Sequence, residues 1–362
     1  MTNLVPMPDT IPVAREYFQF LLMLVFPLHL ILMNAMLGST AVALYAGWKR
    51  DAVLSRLAHE LAKALPFLVA FTVNLGVAAL LFLQVLYGNL FYTSSILMGV
   101  FWLAVIPLLL VAYFALYRYD FKFPALRGAA TALPALALLI FLCIAFIYTN
   151  NMTLMLNPQN WDAYFHNSAG TILNLDDAAL VPRYLHFMVG GMAIGGLFVA
   201  LFGRLKRNME TEVRVAAENF GMGMFVYLTL LQVVAGFWFL MSLPQEVMLL
   251  FLGEDVAATA LFLSGIICVQ LVLFAGIKKK IYLCAGLVVP LLYIMISLRA
   301  IVRVGYLKPH FSTESLQVFP QYSPMYFFIV VLVVGLLTIF WLVKKALYIN
   351  KDEGDKWDKN KI

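Results

Sequence analysis

Two histidines and three arginines lie in stretches of chain that are otherwise strongly apolar. In LVPRYLHFMVGGMAIGGLFVALFGRLKR, residues 180–207, His186 sits in a run apolar enough to cross a bilayer, Arg183 precedes it by one turn, and glycines follow. His29 lies in a second such run, and Arg299 and Arg303 end a third. Polar groups in lipid are costly and tend to be functional. His29 is 20 residues before Lys49, and His186 is 18 before Arg204. At about 1.5 Å per residue these are depths of roughly 30 and 27 Å from the basic end of each run. Two imidazoles at similar depth on different helices suit the iron of one six-coordinate b-type haem. The alternative is that each hydrogen-bonds a neighbouring helix. Gly190 and Ala193 share the face of His186 and would let a porphyrin lie close, whereas Phe26, Met33 and Met36 around His29 are bulky.

The arginines fit the same chemistry. Arg299 and Arg303 are four residues apart and share a helix face. Guanidinium groups bind carboxylates bidentately, haem propionates included, and the alternative is anchoring at the membrane interface by snorkelling. Glu246, Glu254 and His310 lie beyond apolar runs, where they are candidates for contact with a quinol hydroxyl; Glu16 and Asp255 are placed similarly, and the alternative for the acids is that they are solvated helix caps. His59 falls in a basic connector and His166 in a polar one, which reads as solvated surface.

The elements that must carry these residues follow from composition. Of 362 residues, 63% are hydrophobic and 12% charged, and the mean hydropathy is +0.90. A soluble domain carries about 25% charged residues, so the chain is an all-α integral membrane protein. A spanning helix needs roughly 20 apolar residues, and nine segments qualify: 17–47, 64–88, 96–117, 128–149, 180–203, 217–241, 256–277, 281–301 and 324–346. The net charge of +6 is concentrated in short connectors, WKRDAVLSRLAHELAK, RYDFKFPALR, RLKRNMETEVR and KKK, while YGNLFYTSS and SLPQEVMLLFLGED carry almost no basic residues. This asymmetry is a topology signal, not a nucleic-acid patch. It predicts a cytoplasmic basic side, the N-terminus outside and the C-terminus inside. A single transmembrane domain over 1–346 and a cytoplasmic tail over 347–362 are expected, in a bacterial cytoplasmic membrane. The N-terminus lacks the basic region and short apolar core of a cleaved signal peptide. Cys143, Cys268 and Cys284 form no CxxC or CxxCH, which disfavours a c-type haem, a zinc site and a disulfide framework.

Three stretches resemble subunit I of cytochrome bd-type quinol oxidases. RYLHFMVGGMAIGG is similar to the family's Arg-x-x-His segment, which implies an axial haem b role for His186. FTVNLGVAALLFLQVLYGNLFYTSS resembles the segment in which a glutamate precedes a Phe-Gly-Asn-type turn, and KKKIYLCAGLVVPLLYIMISLRAIVRVGYLKP follows the helix before a Gly-Arg-Gln-Pro signature. The family's nine spans with the N-terminus outside agree with the charge pattern, and the likeness extends over roughly 15–310. Departures are specific. The N-terminal histidine of the family's oxygen site falls near Leu22 or Met23, so His29 does not inherit its role. Gln84 replaces the glutamate, VGYLKP near Val304 replaces the signature, the low-spin haem's methionine falls near Gly265, and the quinol-binding loop is reduced to 242–255.

Together these features lead us to expect a bd-like bundle without oxygen reduction. It would hold one haem b on His186 and His29, with Arg183, Arg299 and Arg303 as propionate partners. Electrons would pass between a quinol pool and an extracytoplasmic c-type cytochrome, with further membrane subunits docked on loops 150–179 and 302–323. A haem-free anchor or quinone-binding subunit is the alternative. A third class, a transporter or channel, would line a watery cavity with Asn34, Asn74, Gln84 and Gln270.

Overall fold

The computed structural model describes residues 4–123 and 129–359, with side chains for 4–123 and 131–345. Residues 124–127 of the expected RYDFKFPALR connector, residue 128 of the fourth expected span and the last three residues of the tail lie outside the described residues. The helices are α1 (Arg15–Lys49), α2 (Ala52–Ala62), α3 (Leu65–Leu97), α4 (Gly99–Phe121), α5 (Ala129–Leu156), α6 (Leu180–Leu205), α7 (Thr211–Met241), α8 (Gln245–Leu249), α9 (Val256–Ile277), α10 (Ile281–Leu307) and α11 (Tyr322–Lys359). Among the described residues there is no strand, and nine helices, all but α2 and α8, are long and apolar enough to cross a membrane. Among the described residues, those up to Asp9 and from Glu16 to Ser315 form one compact unit, and Thr10–Arg15 with those from Leu316 onward form another. In the second unit, Ile11 pairs with Val318 through a short parallel bridge, with Ile11 N–H donating to the Gln317 carbonyl at 2.9 Å.

Several helices run past the expected spans. The YGNLFYTSS segment, expected as a loop, continues α3 to Leu97 with a kink at Tyr87. Its hydroxyls explain this: Thr93 donates to the Asn89 carbonyl at 2.7 Å, and Ser94 and Ser95 donate to the Phe91 carbonyl at 2.9 and 2.7 Å. The polar side chains are thus satisfied inside the helix instead of competing with it. Likewise α10 continues to Leu307 and α5 to Leu156. Beyond α5 the 150–179 segment is ordered by asparagines. Asn150 and Asn151 are fully buried; Asn150 accepts from the Asn174 N–H at 2.9 Å, and Asn151 donates to the Ser95 hydroxyl at 3.1 Å.

The basic connectors meet at one end of the first unit. The amphipathic α2, capped by Asp51, buries Leu57 and Leu61. Its Arg56 pairs with Glu210 at 2.5 Å and Glu212 at 3.0 Å. Glu60 pairs with Lys206 and, at 2.9 Å, with Lys63. Nearby, Lys279 donates to Asn219 at 2.7 Å and the His59 ring stacks on Phe123 at 4.5 Å. Residues that sort by charge in the sequence therefore also sort in space.

Helix α6 lies at the centre of the unit's packing through its glycines. A Cβ on Gly195 would stand 2.5 Å from the Gly38 Cα and the Asn34 carbonyl oxygen of α1, and one on Gly196 would stand 2.8 Å from the Gly221 carbonyl oxygen of α7. These are backbone atoms, so nothing flexible can give way. In lipid, such close approach of small residues is a main source of helix association.

Two tests follow from this packing. Gly195→Ala is expected to lower the thermal midpoint in detergent, by the 1–3 kcal/mol or so that overpacking costs. Gly223→Ala, where a Cβ meets nothing within 4 Å, is expected to leave it unchanged; equal midpoints for the two variants would refute the close-packed core. The second concerns pH. Burial would raise the Glu60 carboxyl, but Lys206 and Lys63 outweigh it and hold it below its ordinary value. A carboxylate held low stabilises the fold above its unfolded pKa and loses that contribution as pH falls through the folded one. Acidification below about pH 5 should therefore lower the midpoint, and Glu60→Gln should flatten that dependence.

Candidate functional site

The two intramembrane histidines occupy similar seats. The His29 ring on α1 rests over Gly76 of α3, where a Cβ would come within 2.8 Å of Cε1 and 2.9 Å of Nδ1. Its Nδ1–H donates to the Thr72 carbonyl at 2.9 Å. Because a carbonyl only accepts, this bond places the proton on Nδ1 and leaves Nε2 with a free lone pair. His186 on α6 rests over Gly236 of α7, where a Cβ would lie 3.0 Å from Cε1 and 3.1 Å from Nδ1. It stacks on Phe239, with ring centroids 6.2 Å apart. Its Nδ1 is buried without a hydrogen bond of normal geometry, although the Gln232 main chain approaches it. The rings are thus seated on different helices, and His29 does hydrogen-bond a neighbour.

A cluster of three guanidinium groups lies beside them, at the end of the unit opposite the basic connectors. Arg299 stands over the Phe26 ring at 4.8 Å and the Phe187 ring at 5.4 Å. Phe26 in turn stacks on His29 at 6.2 Å, and Phe187 lies 6.0 Å from His186. A continuous Phe26–Arg299–Phe187 sandwich therefore connects the surroundings of the two imidazoles. Arg303 stands over Tyr87 at 4.6 Å, and Arg183 over Phe239 at 5.1 Å and Tyr306 at 5.8 Å.

The cluster is short of negative charge. Arg183 is 5% exposed, and the Nε atoms of Arg183 and Arg303 are buried without a partner. The charges felt by Arg299 are Arg303 and Arg183, and no carboxylate acts on it among the described residues. Asp177 attracts Arg183 at a distance without closing a salt bridge. Buried charge that is unpaired costs several kcal/mol, more than the roughly 0.5–2 kcal/mol a cation–π contact returns. Such a cluster is chemically complementary to a ligand with two acidic groups.

The remaining expected residues are dispersed. Glu246, Glu254 and His310 are exposed and do not join the cluster. Asn34 is buried, with its side chain 2.9 Å from a Gly191 Cβ position. Asn74, Gln84 and Gln270 lie on exposed helix faces, so the four do not line one cavity. The small face of α6 is also filled: the Gln232 amide covers Gly190, with Oε1 2.1 Å from a Cβ position there, and Ala193 packs in a core with Met222 and Phe225. Sequence reasoning missed Gly76, Gly236, Gln232, Tyr87 and Tyr306. The glycines opposite the histidines carry the one available signal, a missing side chain on a helix facing an imidazole.

Compared with known proteins, the chain matches no family model and no curated sequence. The donor chemistry must stand by itself. It is compatible with a haem in kind: an imidazole with a free Nε2, a second buried beside the Gln232 main chain, and guanidinium groups without a salt bridge among the described residues.

The charge imbalance makes a direct prediction. Arg299→Met keeps the packing between Phe26 and Phe187 but removes a half-buried charge that faces two other cations, so the ligand-free chain should melt higher. A lower melting temperature would show that Arg299 already has a compensating partner.

Proposed function

We propose that the chain is a membrane b-type cytochrome subunit, a divergent relative of cytochrome bd subunit I that does not reduce oxygen. The nine spans would place the basic connectors and C-terminus in the cytoplasm and the N-terminus outside a bacterial cytoplasmic membrane. His186 and His29 would hold the iron of one haem b, and Arg183, Arg299 and Arg303 would hold its propionates. The haem supplies one-electron transfer between a quinol pool and an extracytoplasmic c-type cytochrome.

The observation that carries this reading is the unpaired arginine cluster flanked by both intramembrane imidazoles. The Thr72 carbonyl fixes the His29 tautomer with Nε2 available, as the carbonyl bonded to the other ring nitrogen of a ligating histidine commonly does. Phe26, Phe187 and Phe239 surround the cations with apolar rings and lower the local polarity, which strengthens their hold on acidic groups. Arg183 and Arg299 approach from α6 and α10, so two carboxylates can be met from separate helices. Further subunits would dock on the 150–179 and 302–323 segments.

A second reading is a haem-free anchor or quinone-binding subunit. It is favoured by the Gln232 amide over Gly190 and by the backbone contact of Gly195 with Gly38, which leave α6 sealed by helices.

A dithionite-reduced minus oxidised visible spectrum of the purified chain, with a pyridine haemochrome assay, decides between them. The expected result is a sharp b-type α-band with about one haem per chain, lost in His186→Ala and weakened or broadened in His29→Ala. A flat spectrum from well-folded protein would leave the haem-free subunit as the function.

A further inference from the structure

Glycine is the usual residue just past the C-terminus of a helix, because that position takes a positive φ. At the basic end of the unit, two such positions carry cations instead. Arg50 (φ 55°) follows α1, and its N–H donates to the Ala46 carbonyl at 3.1 Å. Lys279 (φ 52°) follows α9; its N–H donates to the Gly276 carbonyl at 2.8 Å, and that of Lys280 to the Ala275 carbonyl at 3.0 Å. Among the described residues, these are the two non-glycine residues with positive φ. Each is strained, because its Cβ crowds the carbonyl oxygen that follows. Neither the orientation of the chain in the membrane nor the helix dipole calls for that strain. Lys49 and Lys278, one residue earlier, already put a cation at each helix end. Strain that persists at a defined position is a mark of use.

The two helix ends stand beside the same turn of α7. Lys279 Nζ donates to the Asn219 side-chain oxygen at 2.7 Å. The next residue, Phe220, packs on Tyr45 of α1 with ring centroids 4.9 Å apart. Lys49 Nζ lies over Tyr45 at 5.8 Å and Trp48 at 5.3 Å, and Lys278 Nζ over Phe274 at 5.9 Å. Lys49, Arg50 and Lys278 to Lys280 are all exposed, and no salt bridge reaches them among the described residues. The neighbouring carboxylates are already engaged. Glu60, Glu210, Glu212 and Glu218 pair with Lys63, Lys206, Arg56 and Arg204, and Asp51 caps α2. Beside these free cations Trp48, Phe274, Ile277 and Tyr282 are exposed, on helices long and apolar enough to span a membrane. Charge for a head group therefore adjoins apolar surface for its chains.

We propose that the ends of α1 and α9 form a site for the phosphate head group of an anionic glycerophospholipid. Arg50 and Lys279 are the principal phosphate contacts, Lys49, Lys278 and Lys280 complete the charge, and the acyl chains lie along Trp48 and Phe274. Guanidinium and ammonium groups both suit phosphate oxygens, and basic pockets between spanning helices bind such head groups. The site stands on α1, α7 and α9 alone and does not depend on haem.

The test is a thermal-shift titration of the full chain, delipidated in detergent, with cardiolipin, phosphatidylethanolamine or inorganic phosphate. Cardiolipin should raise the midpoint, and neither the zwitterionic lipid nor phosphate at the same concentration should do so. Arg50→Gly and Lys279→Gly install the residue that the backbone favours, so both should fold, with a lipid-free midpoint equal to that of the unmodified chain or higher. Each should nevertheless weaken cardiolipin binding about fivefold, the worth of one cation near a membrane surface. Arg118→Gln removes the same charge from an exposed position in the last turn of α4 and should bind as the unmodified chain does. An equal loss in Arg118→Gln, an equal shift with phosphate or phosphatidylethanolamine, or unchanged affinity in the two glycine variants would overturn the proposal.

Discussion

Between lipid tails, an apolar helix gains little by exchanging lipid for another apolar helix, so what holds α6 in place is close approach. Gly195 against Gly38 and Gly196 against Gly221 bring three backbones to distances that no side chain permits. Everything of chemical interest in the larger unit depends on that spacing. Arg183 and His186 begin the same helix, and their depth and direction are set where α6 is pinned, two and three turns further along. Move α6 outward by one methyl group, and His186 leaves Gly236 while Arg183 leaves the Phe239 and Tyr306 rings.

The second constraint is electrostatic. Three guanidinium groups converge where the surrounding rings offer little solvation, and aromatic faces are their main protein partners. A structure that keeps such a cluster carries a stability cost, and a bound dianion would remove it. Strain of this kind, stored at one place and offset by close packing elsewhere, is the pattern expected of a functional site.

Much of this was legible in the residues. The nine apolar runs, the asymmetric connectors and the choice of His29, His186, Arg183, Arg299 and Arg303 all follow from hydropathy, charge and helical spacing. The ends of the helices did not. Ser and Thr within YGNLFYTSS suggest a turn, but each hydroxyl is satisfied by its own helix, and that is decided by local geometry, not by composition. Partners across helices were equally hidden. Nothing in the spacing of α6 says that Gly190 will be covered by Gln232 rather than left open, because the answer depends on the rotation of α7. Asp177 is set apart only by Asn157 and Asn174, which donate to its carboxylate once the loop has folded back.

The ion pairs at the basic end have a consequence for the order of assembly. Arg56 and Glu60 leave the ribosome about 150 residues before their partners Lys206, Glu210 and Glu212, which at 5–20 residues per second is a delay of roughly 8–30 s. Until then Glu60 has only Lys63 of its own segment as a partner, and Arg56 lacks both of its carboxylates. Only when the chain reaches α7 can the clamp close. The same side chains thus latch helices made early to helices made late.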